Sequence, residues 1–381
     1  MPPDGARPIA GIRIEPLEPW LFGDNRAARA GLDHLQADQD PSPLAIHGAL
    51  GRLLAGDPGS PWPEPLLGSR QEDVLRPEAA IAELLGWCCE HADGRPLFPR
   101  PLNLRCRRLL GGGLEALEPL APAAAGDART SAGFESLAVA AAEQDEHEGA
   151  VWLAEDALAE ALTGSAPGAG LYEESQLFQR EARPGIAVDN DRGTVFEGYF
   201  FTRPYRRLRP GELDPVRTAE PGLRAWLQTL ESPIDLPGGR PLGFLGGDRR
   251  RARFTLLERF SGRVEILAAL RERIEAAAPG SRGFSLYLLT PAVAQGEAPF
   301  RPAGPLRPVA AVIGKPRFAS GWDVRRRRPR ELLALIPEGS IYFYEWPDGA
   351  DRPALVRERW LAAVGEVGAA VGFGRALVGV W

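Results

Sequence analysis

Lysine is almost missing from this chain: Lys315 is the single one among 45 basic residues. Positive charge here is therefore guanidinium, a planar fork of donors shaped for phosphate and carboxylate oxygens. Histidine occurs only at His34, His47, His91 and His147, which leaves few groups able to act as a general base near neutral pH. Cys88, Cys89 and Cys106 are an odd set with no CxxC pair; the vicinal pair suits neither a structural disulfide nor a common zinc site, and reduced, half-buried thiols are expected. No apolar run is long enough to span a bilayer. The opening MPPDGARPIA lacks the basic start, apolar stretch and cleavage site of a signal peptide, so a cytoplasmic protein without a membrane partner is expected. A Walker-type GxxxxGKS/T is missing because Pro316 follows Gly314-Lys315, which argues against nucleotide hydrolysis. No serine or cysteine triad motif is visible, and no cofactor and no metal are expected.

What is present is an ordinary globular composition in 381 residues, 44% hydrophobic and 25% charged, long enough for two domains. A net charge of -6 counts against indiscriminate nucleic-acid binding. The arginines are clustered, however, and the acidic stretch Glu143 to Glu148 lies far from them along the chain, so separate acidic and basic faces are expected. The densest cluster is LGGDRRRARF, Leu245 to Phe254. Its glycines allow a tight turn and close approach to a ligand, and its arginines supply phosphate donors. The competing reading is a hairpin turn running into a solvated edge strand. Arg203 to Arg209 (RPYRRLR) and Lys315 to Arg330, where GKPRFASGWD leads into RRRRPR, are two more basic runs. In the second, Trp322 is placed to stack on a base while Arg317 and Arg325 hold the backbone, against the alternative that Trp322 packs into the core. Taken together the clusters suggest RNA.

Three other patterns are weak. GFGRALVGVW, Gly372 to Trp381, contains GxG but lacks the strand-loop-helix context of a dinucleotide site, and reads as a close backbone approach beside a final strand. Asp189, Asp191 and Gly193 faintly resemble a calcium loop, although a turn between strands accounts for them; Asp33, His34 and Asp38 are an equally faint metal suggestion. His47, beside Gly48 on a helix, is the one credible general-base position, and a histidine there is more commonly structural.

Along the chain, Ile9 to Phe22 alternates as a strand until Pro16 and Pro19 disturb it. Ser42 and Pro43 make an N-cap and first position for a helix with apolar Leu44, Ile46, Leu50 and Leu54. Helices are predicted over Ala79 to Cys89, Asp156 to Leu162 and Gly222 to Leu230, and a flexible insertion over Leu114 to Ser131. A hairpin is predicted from Glu173 to Leu208 about Asn190-Asp191-Arg192-Gly193. Further on come a strand through Phe254, a helix Val264 to Ala277, strands Phe284 to Leu289, Val309 to Ile313 and Ser340 to Trp346, a helix Ala354 to Val364 and a strand Ala376 to Val380. The expected fold is α+β, with two ferredoxin-like (RRM-like) domains: 1–258, carrying a large insertion at about 56–173, and 259–381.

WLFGDNR (Trp20 to Arg26), PSPLAIHGALGRLL (Pro41 to Leu54), LGGDRRRARF, GKPRFASGWD, PEGSIYFYEW and GFGRALVGVW together resemble the RAMP-superfamily family that forms subunit three of the type III-B CRISPR effector, the Cmr complex. The resemblance implies a subunit without catalysis that holds the repeat-derived 5′ tag of the CRISPR RNA. It also implies docking onto the large polymerase-like subunit and onto a backbone RAMP subunit, with target RNA reached only indirectly. On that footing the RNA-binding candidates are Asn25, Arg26, Ser42, His47, Gly246, Gly247, Arg249, Arg250, Arg251, Arg253, Lys315, Arg317, Trp322 and Arg325. An alternative is a metal-independent CRISPR repeat endoribonuclease, with His47 as acid or base and Arg249 or Lys315 stabilising the departing phosphate. A third is a scaffold whose arginines meet an acidic protein.

Overall fold

The computed structural model describes residues 8–22, 40–54, 82–124, 136–139, 149–189, 192, 194–209, 221–229, 236, 241–294, 306–320, 322–323, 328–329 and 332–381. The first part of the chain supplies β1 (Ile9–Pro16), α1 (Pro43–Leu54), β2 (Ala82–Glu90), β3 (Pro96–Pro99), β4 (Val151–Ala154), α2 (Glu155–Leu162) and β5 (Leu171–Glu173). A long ribbon follows, β6 (Phe178–Asp189) with β7 (Thr194–Leu208), then β8 (Gly222–Thr229), β9 (Leu242–Phe244) and β10 (Arg251–Phe260). The last part supplies α3 (Ala268–Ala277), β11 (Gly283–Leu288), β12 (Ala310–Val312), β13 (Ile341–Glu345), α4 (Arg352–Arg359) and β14 (Ala376–Val380).

Eight strands form one sheet in the order β9-β10-β1-β8-β2-β3-β4-β5, and four form a second in the order β12-β13-β11-β14, with antiparallel neighbours throughout. The chain is thus α+β with antiparallel sheets. β10 continues through Glu258 to Phe260, so the first sheet ends just past the expected junction.

Both faces of the large sheet are covered. Ala10, Ile12, Ile14, Leu84, Trp87, Leu223, Ala225, Leu227 and Phe254 point to one side, where α1 lays Ile46 and Leu50 on them. Ile9, Leu85, Cys88 and Trp226 point to the other and share a core with α2, α3, α4 and the second sheet. Full burial of each large apolar side chain is worth roughly 1.5–3 kcal/mol.

This double burial explains two misread elements. Gly222 to Leu230 and Ala79 to Cys89 are predicted as helices, but 222–229 is the strand β8 and 82–89 belongs to the strand β2, while 79–81 and Leu230 lie outside the described residues. A strand covered on both faces carries a continuous apolar run without alternation, and such a run also satisfies helical spacing. The described residues of the stretch 56–173 supply β2 to β5 of the large sheet. Within the predicted flexible stretch, Leu114–Ala116 and Ala121–Ala124 are strands; its remaining residues 125–131 lie outside the described residues.

The hairpin is present as β6 and β7, paired from Phe178↔Leu208 to Asp189↔Thr194, but it forms a ribbon of its own instead of the sheet's middle strands. α3 begins at Ala268 and α4 spans Arg352 to Arg359, both shorter than their predicted spans. Ala354 N–H donates to the Asp351 carboxylate at 3.1 Å and caps α4.

The closing GFGRALVGVW is a joint between the sheets. Gly372 has φ +101°, and a Cβ there would lie 2.8 Å from the Leu84 side chain of β2. Arg375 is buried and donates to Glu83 of β2 at 2.5 Å, to Leu361 O at 3.2 Å and to Ala369 O at 2.6 Å. Among the described residues no helix is long and apolar enough to cross a membrane.

Candidate functional site

After β1 the chain leaves the sheet as Trp20-Leu21-Phe22, the segment on which two basic regions converge. On one side Trp20 pairs its backbone with Arg206 of β7, N–H to carbonyl at 2.8 and 3.0 Å. On the other, Gly247 N–H donates to Leu21 O at 2.8 Å. The Trp20 ring is buried 5.5 Å from Phe22 and 6.0 Å from Phe178, which fixes the exit rigidly.

Gly246 and Gly247 serve this packing first. Gly246 has φ +82°, and a Cβ would sit 2.8 Å from Leu21 O and 3.1 Å from the Phe22 ring. The close approach read from the sequence is thus to the chain's own strand exit. The following turn, Gly247–Arg249, is a single 3-10 turn that delivers Arg250 into the start of β10.

The arginines of this loop have different fates. Arg249 has φ +50°, is exposed, and makes no ion pair among the described residues. Arg250 lies 4.5 Å over the buried Tyr205 ring, and Arg183 approaches the same ring at 5.1 Å. Arg251 and Arg253 point to the face of β10 opposite Ala252 and Phe254 and meet Glu18 and Glu15, each at 3.4 Å. Glu18 also accepts the Arg251 backbone N–H at 3.1 Å. That hydrogen bond, reinforced by the Arg251 charge, holds the Glu18 carboxyl below its usual range against an opposing desolvation.

Arg206, from the RPYRRLR run, is not a ligand group. It is 4% exposed, stacks 4.1 Å over Phe178, and donates to Asp40 at 2.8 Å and Glu174 at 2.7 Å. Asp40 leads directly into α1, whose first turn is capped by Ser42: Ala45 N–H donates to Ser42 Oγ at 3.3 Å. Ser42 is therefore occupied as an N-cap.

His47 on α1 is buried, and its Nε2–H donates to Ala82 O at 2.9 Å. Burial pulls its pKa below the ordinary imidazole value, with the Ala82 hydrogen bond opposing. Where an RNA contact or an acid or base is expected, the ring packs inside the protein against β2, and its burial favours the neutral imidazole.

From the C-terminal half, the 314–319 segment reaches the same neighbourhood. Arg317 pairs with Glu338 and feels Asp40; burial opposes its charge, and the two carboxylates outweigh that and raise its pKa. Ala319 packs with Leu335, Val371 and Phe373 against Leu44 of α1. Lys315 is exposed and makes no ion pair among the described residues. Trp322 lies in a two-residue strand opposite Pro329, and its side chain lies outside the described residues. Asn25, Arg26 and Arg325 lie outside them too, as do Asp33, His34, Asp38, Asp191 and Gly193.

The three cysteines are free and buried, more deeply than expected. Desolvation pushes the Cys88 and Cys89 thiols well up, so neither is a nucleophile. The sequence reading missed Tyr205, Phe178, Asp40, Glu15 and Glu18. The only signal for the last two was the EPLEP pattern of β1, whose pairing with β10 no local feature discloses.

Arginines thus gather about the strand exit and the start of α1, Arg206, Arg251, Arg253 and Arg317 paired with carboxylates and Arg249 making no ion pair among the described residues. This chemistry suits a phosphate backbone better than a covalent reaction. A search of curated proteins finds no match. Among solved structures, the chain is similar to one in "Cryo-EM structure of the Type III-B Cmr-beta bound to cognate target RNA", at 16% identity and TM-score 0.48, covering 87% of this chain and 86% of that one. A second, "Cryo-EM structure of the Type III-B Cmr-beta bound to cognate target RNA and AMPPnP, state 1", gives 16% identity and TM-score 0.45 with the same coverage. The family model described as "CRISPR-associated protein (Cas_Cmr3)" matches residues 12–381. That match takes in β1, α1, the glycine-arginine loop and the final strand β14, and the chain belongs to the Cmr3 family of CRISPR-associated proteins.

Proposed function

We propose that this protein is a non-catalytic RNA-binding subunit of a type III-B Cmr complex that holds the repeat-derived 5′ tag of the CRISPR RNA. The carrying observation is the convergence of the glycine-arginine loop on Leu21, with Arg249 left exposed and unpaired among the described residues. Membership of the Cmr3 family gives that convergence its context. A single strand with a fixed end sequence is held by guanidiniums on phosphates and by backbone and aromatic contacts to bases, which needs no acid, base or metal.

The reading includes docking onto the large polymerase-like subunit and a backbone RAMP subunit, target RNA being met through the assembly, and a cytoplasmic location. It also includes two ferredoxin-like units. In favour of the latter, β10-β1-β8-β2 with α1 between β1 and β2, and β14-β11-β13-β12 with α4 between β13 and β14, follow one pattern of neighbours. The burial of His47 favours this reading over the endoribonuclease alternative, which assigns His47 as acid or base.

Binding of 5′-labelled CRISPR RNA with and without its tag, and the integrity of that RNA afterwards, tests the proposal. Tag-dependent retention of intact RNA is expected. Cleavage that disappears in His47→Ala overturns the non-catalytic reading.

A further inference from the structure

The outer strand β9 carries two of the larger exposed apolar side chains of the molecule, Leu242 at 55% and Phe244 at 53% exposure. Its register with β10 sets Leu242 opposite Arg253 and Phe244 opposite Arg251. Ala252 and Phe254 point into the core beneath α1, so Leu242, Phe244, Arg251 and Arg253 share the other face. Each apolar side chain therefore has a guanidinium as its cross-strand neighbour. Gly246 follows two residues after Phe244 and leads through one turn to Arg249, which makes no ion pair among the described residues, so this surface continues directly into the glycine-arginine loop.

Isolated exposed apolar residues need no explanation, but an aromatic ring opposite one arginine, with a second arginine two positions along the same face, is a different case. A ring accepts the face of any base, and arginines beside it take the flanking phosphates. Arg251 is 60% exposed and its 3.4 Å pair with Glu18 is open to water, so it exchanges a carboxylate for a phosphate at little cost, whereas Arg253, 40% exposed, pairs with a Glu15 that is only 16% exposed and keeps part of its charge engaged. An added protein strand is the competing occupant. β9 has only three residues and offers too short a ladder to hold one firmly.

Building on the tag-holding proposal, we infer that Phe244 is a stacking platform for a base of single-stranded RNA leaving the glycine-arginine loop. Leu242 extends the apolar surface, and Arg251 and Arg253 grip the phosphates on either side. The path of the RNA then runs over the edge of the large sheet, on the face away from α1.

The test measures the affinity of the full-length protein for tag-bearing RNA in wild type, Phe244→Ala, Phe244→Trp and Arg249→Ala, with thermal unfolding as the control for folding. Loss of one stacked base predicts binding about 5- to 150-fold weaker in Phe244→Ala at unchanged unfolding temperature. Phe244→Trp should stay within about threefold of wild type because its ring also stacks. Wild-type affinity in Phe244→Ala alongside weakening in Arg249→Ala overturns this inference and leaves the tag-holding proposal standing. Retained RNA affinity with lost assembly onto the other subunits also overturns it and makes the surface a protein-docking site. A wild-type protein that binds no RNA removes both.

Discussion

Arg206→Ala is expected to destabilise the protein and to spare its RNA chemistry, whereas Arg249→Ala should do the reverse. Arg206 is 4% exposed and neutralises Asp40 and Glu174 at once. Removing one partner of a buried pair costs about 3–5 kcal/mol because the remaining charge is stranded. Asp40 and Glu174 are 25% and 27% exposed, so water restores part of that, while the stack on Phe178 is lost as well. The net expectation is about 2–4 kcal/mol, which lowers the melting temperature of a chain this size by several degrees. Arg206→Lys keeps the charge but not the two-pronged geometry and should fall between. Urea unfolding followed by tryptophan fluorescence reads it, since Trp20 lies beside Phe178. Arg249, exposed and unpaired among the described residues, should change stability by less than about 0.5 kcal/mol on truncation to Ala. Its loss should lower the salt slope of single-strand binding by about 0.7, one phosphate contact. A loss below about 0.5 kcal/mol in Arg206→Ala, or an unchanged salt slope in Arg249→Ala, would refute this division of the arginines into structural and ligand-facing groups.

Three other perturbations follow from the same geometry. His47 has a folded pKa below its unfolded value, so its contribution is complete above about pH 6.5 and declines as pH falls, because the unfolded chain then takes up the proton; wild type should lose up to about 1.4 kcal/mol more than His47→Gln between pH 7.5 and 5.5, and parallel pH profiles in urea titrations would count against it. Gly246→Ala meets both a positive φ and the Leu21 carbonyl, and should cost about 1–3 kcal/mol with loss of RNA affinity following the displaced loop; an unaltered melting temperature would show the turn to be tolerant. Arg375→Met leaves Glu83 without its partner at the joint between the sheets and should cost about 3–5 kcal/mol, whereas Arg375→Met combined with Glu83→Leu should recover much of it, a recovery that a double-mutant cycle measures.

Much of the fold was legible where a period, a cap or a turn marks an element. β1, α1 with its Ser42 cap, the β6–β7 ribbon and the strands of the second sheet all carry the period or boundary residues that define them. β2 and β8 were not legible because they lie between two layers: Leu223, Ala225 and Leu227 face one core and Trp226 the other, which erases alternation. The site was legible as clusters but not as partners. The glycines and arginines of the loop are contiguous, while Glu15, which meets Arg253, is 238 positions away and becomes its neighbour only through sheet pairing. For the same reason RPYRRLR read as a phosphate grip, although Arg206 is consumed by Asp40 and Glu174. Charge density along a sequence does not distinguish a guanidinium that holds the fold from one that awaits a ligand; burial and pairing do.

The central claim is that this Cmr3-family chain holds the tagged end of a CRISPR RNA without cutting it. The most direct measurement is the affinity of the protein, assembled with its large partner subunit, for CRISPR RNA with and without the 5′ tag, the RNA being recovered and sized afterwards. The account predicts tighter binding of the tagged RNA, recovered intact, and weakened by Arg249→Ala. Equal affinity for both RNAs, or cleaved RNA that becomes intact in His47→Ala, would contradict it.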